Sequence, residues 1–250
     1  MNKKVRRRGI YLLPNLFTTG CLFFGFVAII SAIDGEFGRA AAAVLVAMVF
    51  DGLDGRVARL TNTQSDFGVQ YDSLADMVSF GAAPAVVVFL WALESPQAGP
   101  PWDDLGWLIA FLFVACAALR LARFNTQSGV DDKRYFQGLP SPAAAGAVVG
   151  LVWFGERLGL SGVDAAVPAG IVTAAAAVAM VSTVRYESFK EFDFRYQVRF
   201  TSVVFVVLGL ALVALHPPTA IFFGFFAYLI SGPVLTIRRL RDRRQRRRPH

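Results

Sequence analysis

Charge is what this chain has least of. Asp, Glu, Lys and Arg make up 17% of its 250 residues, against 55% hydrophobic, and the mean hydropathy is +0.51. A water-soluble domain of this size is about a quarter charged, so an ordinary soluble globule is excluded. Cysteine is nearly absent: Cys21 and Cys116 lie in apolar runs and there is no CxxC. That excludes a disulfide framework and a cysteine metal site, and leaves two buried thiols. Two histidines, His216 in a loop and His250 at the last position, are too sparse for zinc. No internal repeat, low-complexity linker or soluble domain interrupts the chain, which reads as a single membrane domain, 1–250.

Long hydrophobic runs are abundant. About 20 helical residues cross the hydrocarbon core of a bilayer. Eight segments reach about that length: 12–33, 38–58, 69–92, 105–124, 141–158, 166–184, 199–215 and 219–237. The fifth and sixth are Ala-rich ("AAAGAVVGLVWF", "VPAGIVTAAAAVAMV"), which leaves six or seven spans as alternatives to eight. The fold class expected is an all-α polytopic helical bundle. The basic start before the first run imitates a secretory signal, but the run continues to about Ile33 without a cleavage site, so a retained span is expected.

Eight crossings with both ends on one side put 23 of the 25 Lys and Arg residues on that side and only Arg39 and Arg157 on the other. Basic residues resist translocation, so that side is the cytoplasm, and a multi-pass protein of the inner (plasma) membrane is expected. The same distribution explains the net charge of +7. The cations sit in loops and tails beside spans, where anionic headgroups are the natural partners, and no nucleic-acid partner is expected.

Against this background the stretch from Val49 to Met77, "VFDGLDGRVARLTNTQSDFGVQYDSLADM", is out of place. It carries Asp51, Asp54, Asp66, Asp72 and Asp76. An aspartate at the centre of a membrane helix costs about 2.5–3.5 kcal/mol, and four unpaired ones on the order of 10. Asp51 and Asp54 are three apart and Asp72 and Asp76 four apart, so each pair shares a helix face. A short polar connection would fold the second and third spans into a hairpin with the pairs facing each other. Converging carboxylates need a hard cation, with Mg²⁺, Mn²⁺ and Ca²⁺ as the candidates. Gly55, Ala58 and Gly68 keep the faces free of bulk, and Arg59 offers a cation to a phosphate oxygen. Asp66, in the connection, reads as solvated. An ion pathway in a transporter would use the same aspartates.

The pattern Asp51-x2-Asp54-Gly55-x2-Ala58-Arg59-x8-Gly68-x3-Asp72-x3-Asp76 resembles the signature of the CDP-alcohol phosphotransferases without a departure. That resemblance implies a membrane-embedded bundle with a six-span core, here 1–184, commonly a homodimer. Two further spans (199–237) and a basic tail (238–250) follow. It also implies transfer of a substituted phosphate from a CDP-alcohol to an acceptor alcohol with release of CMP. By carry-over, Asp51, Asp54, Asp72 and Asp76 hold a two-metal centre of Mg²⁺ or Mn²⁺, and Asp76 is the general base. Gly55, Ala58, Arg59, Ser65 and Gly68, with Asn15 and Thr18 of "LPNLFTTG", bind the CDP-lipid.

The signature leaves the acceptor open among glycerol phosphate, inositol phosphate, serine, choline and ethanolamine. "YDSLADMVSFGAAPA" (71–85), "ALRLARFN" (118–125) and "FQGLPSPAAA" (136–145) are similar to the serine-using branch, which implies CDP-diacylglycerol and L-serine as substrates. Arg120 and Arg123 suit a carboxylate and Asn125 an ammonium, although two arginines suit a polyol phosphate as well. Ser141, in "GLPSP", receives no role. Small-residue runs such as Gly146-x3-Gly150 read as close helix packing, and the aromatic eighth span as lipid-facing surface.

Overall fold

The computed structural model describes residues 12–61, 63, 65–94, 102–127, 135–160, 162–187 and 215–246. Its long helices are α1 (Leu12–Ile33), α2 (Phe37–Thr61), α3 (Asp66–Leu93), α4 (Trp102–Gln127), α5 (Ser141–Arg157), α6 (Gly162–Val181) and α7 (Pro217–Arg246). Five of them, α1, α3, α4, α6 and α7, are long and apolar enough to cross a membrane. The protein is an all-α polytopic membrane protein. Helices dominate because lipid offers no partner to a backbone N–H or C=O, so each must be satisfied within its own segment. α2 ends in the charged turns of Asp51, Asp54, Arg56 and Arg59, and α5 is 17 residues long; both are packed among the five. The expected seventh span, 199–215, lies outside the described residues except for Leu215, and so do the basic residues from Lys3 to Arg8.

α1 and α2 form a tight hairpin, turned at Gly35, whose φ of 77° is open to glycine at no steric cost. The Glu36 N–H closes that turn on Ser31 O at 2.8 Å. α5 is the central helix. It touches α2, α6 and α7, and most of its residues from Ser141 to Val152 are buried. The alanines that make its hydropathy look weak are there because neighbouring helices approach closely, which small residues permit.

α3 is continuous but not uniform. Its turns at Met77–Ala82 and Phe89–Leu93 are π-helical, with the Ala83 N–H bonded to Val78 O five residues back. Pro84 has no N–H to give to Phe80, and the wide turn lies just before it. Ser79, wholly buried in that turn, donates to Cys21 O at 3.0 Å and ties α3 to α1.

Two three-residue strands, β1 (Tyr135–Gln137) and β2 (Arg185–Glu187), pair antiparallel and join the segments after α4 and α6. Gly138, at φ 81°, gives its N–H to Val184 O at 2.8 Å; a side chain there would strike Met180 O. Tyr186 is fully buried beneath α7 and donates to Leu229 O at 3.2 Å. Burial, then the neighbouring Tyr228, pushes its phenol up to about 12, so it remains a protonated donor at any working pH.

Candidate active site

α2 and α3 converge where Ala43, Val44 and Ala47 share a core with Phe80 and Ala83. Toward their connection they part. α1 packs along both, while the first turns of α3 make little direct contact with α2. The result is a wedge, wider at the end that carries the aspartates. Leu53 and Leu60 of α2 and Phe67 and Leu74 of α3 are exposed apolar residues at this same end.

Helical spacing delivers the carboxylates into the wedge. Oxygens of Asp51, Asp72 and Asp76 all lie within 4.8 Å of one another. Asp54 stands outside that trio. It is 6% exposed, its Oδ2 accepts from Thr18 Oγ1 at 2.8 Å, and its carboxyl is within hydrogen-bonding reach of Asp72. Thr18 is itself buried, so α1 fixes one carboxylate from behind. Asp76 Oδ1 is buried and has no hydrogen-bond partner among the described residues. Such an atom is costly to bury unless something binds it. Among the described residues, the charged neighbours of Asp76 are Asp51, Asp72 and Asp54, with Arg120 the one cation. Four carboxylates against one guanidinium leave net negative charge on hard oxygen donors, and that donor set fits a divalent cation.

The residues expected around the nucleotide fall on the same end. Ser65 caps α3, its Oγ accepting from the Gly68 N–H at 3.1 Å. A Cβ at Gly68 would stand 3.2 Å from Ser65 Oγ and 3.7 Å from Asn15 Oδ1, so these three positions meet. Ala58 O accepts from the Thr63 N–H at 3.1 Å where α2 ends. Arg59 is exposed, and its Nη1 lies 3.9 Å from where a Gly55 Cβ would be. Asp66 is exposed, as expected for a solvated loop residue.

The three residues expected at the acceptor separate by environment. Arg120 turns inward, with Asp76, Tyr228 and Asp51 as its electrostatic neighbours; its Nη1 donates to Ser141 Oγ at 2.8 Å. Its Nε is buried and has no hydrogen-bond partner among the described residues. Arg123 bonds Gln137 of β1. Asn125 Nδ2 donates to Ser73 Oγ at 2.9 Å, next to Asp72. Sequence reasoning passed over Ser73, although it lies between the paired aspartates, and gave Ser141 no role. Neither residue type is distinctive without its partner. Thr19 Oγ1 and Tyr71 OH, 2.9 Å apart across α1 and α3, were likewise unread.

The CDP-alcohol phosphatidyltransferase family matches residues 11–231, from the start of α1 into α7. The chain belongs to this family. Among individual relatives, it is 38% identical over 224 residues to the CDP-diacylglycerol–serine O-phosphatidyltransferase of Helicobacter pylori (strain J99), covering 89% of this chain and 90% of that one. It is 34% identical over 176 residues to the archaetidylserine synthase of Methanothermobacter thermautotrophicus, covering 70% and 69%. It is 40% identical over 122 residues to the yeast CDP-diacylglycerol–serine O-phosphatidyltransferase, covering 46% and 41%. The acidic wedge of this CDP-alcohol phosphatidyltransferase lies wholly within the matched residues.

Proposed function

We propose that the protein transfers the phosphatidyl group of CDP-diacylglycerol to the hydroxyl of L-serine, giving phosphatidylserine and CMP. The observation that carries this reading is the meeting of Asp51, Asp72 and Asp76 in this wedge, in a chain whose relatives are named for serine transfer. Asp51, Asp54, Asp72 and Asp76 would hold a two-metal centre, Mg²⁺ or Mn²⁺. When bound, the metal neutralises the diphosphate and stabilises the departing CMP oxygen. Asn15, Thr18, Gly55, Ala58, Arg59, Ser65 and Gly68 cradle the CDP head. Arg120, assisted by Arg123 and Asn125, receives serine through its carboxylate.

Asp76 Oδ1 takes the proton of the serine hydroxyl. The serine oxygen bonds to the phosphorus that carries diacylglycerol, and the bond from that phosphorus to the CMP oxygen breaks. Thr18 keeps Asp54 in place, and Arg120 limits the charge that Asp76 must bear. The catalytic core is 1–184, with 199–237 as added spans and 238–250 as a basic cytoplasmic tail. The enzyme works as a homodimer in the inner membrane, with both termini and the wedge on the cytoplasmic side. The one-sided distribution of Lys and Arg supports that orientation.

The deciding test is CMP release by purified protein from CDP-diacylglycerol with Mg²⁺ or Mn²⁺, offering serine, glycerol 3-phosphate, inositol or inositol phosphate. Turnover with serine alone, abolished by EDTA and restored by the metal, is expected. Turnover only with another acceptor would overturn the serine assignment and leave the metal site standing.

A further inference from the structure

α7 does more than face lipid. Two close approaches seat it antiparallel on α5. A Cβ at Gly150 would stand 3.1 Å from Phe222 Cα, and one at Gly146 would stand 2.7 Å from the Phe225 ring. One turn back along α5 therefore corresponds to one turn forward along α7. The next level sets the first turn of α5, at Ser141 and Ala143, beside Tyr228 and Leu229 of α7. Ser141 is wholly buried and accepts from Arg120 Nη1 at 2.8 Å, so Arg120 lies at that level too. The register thus puts Tyr228 beside the turn of α5 whose Ser141 holds Arg120, and Tyr228 is one of the ionisable neighbours of that arginine.

The tyrosine is held from its other side. Its ring centroid is 5.5 Å from that of Tyr186, whose hydroxyl donates to the next carbonyl, Leu229 O, at 3.2 Å. Gly232, one turn on, leaves no room for a side chain against the Tyr186 ring. Arg120 is thus bonded to Ser141, and the Tyr228 ring is seated on Tyr186 at the same level of the bundle. A guanidinium presents five N–H donors in a planar fork, and the buried Nε of Arg120 has no partner among the described residues.

We propose that Tyr228 is a positioning residue of the transfer reaction. Its hydroxyl, together with Ser141 Oγ, braces the Arg120 guanidinium toward Asp76, so that the Nε edge is turned to the acceptor's carboxylate. This rests on the serine reading above and extends it: the last helix, beyond the six-span core, shapes acceptor selection.

The test compares wild type with Tyr228→Phe, which keeps the ring on Tyr186 and removes only the hydroxyl. Steady-state kinetics are measured with serine varied at saturating CDP-diacylglycerol, and then with the lipid varied. The serine KM should rise about 3–10-fold, with kcat, the lipid KM and the thermal midpoint within twofold or unchanged. The preference for serine over serinol, which lacks the carboxylate, should fall by a similar factor. Tyr186→Phe loses the bond to Leu229 and should lower the thermal midpoint while leaving the serine KM within twofold. A Tyr228→Phe enzyme with unaltered serine KM and serinol discrimination overturns the proposal. So does one in which both substrates' KM values rise together. If the wild type releases no CMP with serine, the acceptor assignment falls and the proposal with it. A wild type active on serine with an indifferent Tyr228→Phe removes the proposal alone.

Discussion

Asp76 is the residue on which the proposed chemistry turns. Its Oδ1 is buried, has no hydrogen-bond partner among the described residues, and its carboxyl meets two others. Replacing Asp76 with Asn keeps the shape and removes the proton acceptor, so CMP release should fall by about 10²–10⁴-fold. CDP-lipid should still bind, because the residues proposed to hold it, Asn15, Thr18, Ser65 and Gly68, are untouched. Equilibrium binding of CDP-diacylglycerol beside single-turnover CMP release checks both halves; near-normal turnover would remove Asp76 as the base. This part of the site was legible in the sequence for two physical reasons. Charge in lipid is expensive enough to demand an explanation, and spacings of three and four place side chains on one helix face. The partner of Arg120 was not legible, because Ser141 reaches it through tertiary packing that no local spacing encodes.

At the level of elements, α3 owes its aim to its contact with α1. A Cβ at Gly25 would lie 2.8 Å from Ser79 Cα, a backbone atom that cannot swing away. Gly25→Ala should therefore push α1 from the π-helical turn just after Asp76 and destabilise the protein by about 1–3 kcal/mol. Gly52→Ala is the matched control. Nothing lies within 4 Å of a Cβ there, and alanine in a helix is favoured over glycine by about 0.5–1 kcal/mol. Thermal midpoints of the two variants in detergent should move in opposite directions. The helices were foreseeable from hydrophobic run length, and Pro84 marks where α3 departs from regular geometry. The wedge was not foreseeable. Sequence predicts a hairpin of the second and third spans with facing aspartates, and Asp51 does meet Asp72 and Asp76; the two helices touch through their middle turns, whereas the first turns of α3 make little contact with α2. What separates them there is α1, packed along both, and that choice of neighbour is a property of the bundle.

For the whole molecule, the low hydropathy of the Ala-rich segments turns out to mark the interior of the bundle. α5 is central, and its alanines and glycines set how near α7 can come. The aromatic helix read as lipid surface is two-sided: Phe222 and Leu229 are buried, while Phe223 and Ile230 are exposed.

The parting of α2 and α3 has a kinetic consequence. On the proposed reaction, a wedge flanked by the exposed Leu53, Leu60, Phe67 and Leu74 would admit the lipid sideways, so that the nucleotide lipid need not leave its sheet of neighbours to reach the carboxylates. Serine arrives from three dimensions and the lipid from two. The first is counted in moles per litre and the second as a share of the surface. Diluting CDP-diacylglycerol with inert detergent at constant bulk concentration should slow CMP release in proportion to its surface fraction. The serine KM should stay where it was, so the enzyme senses how crowded its substrate is within the film and is indifferent to how much film there is.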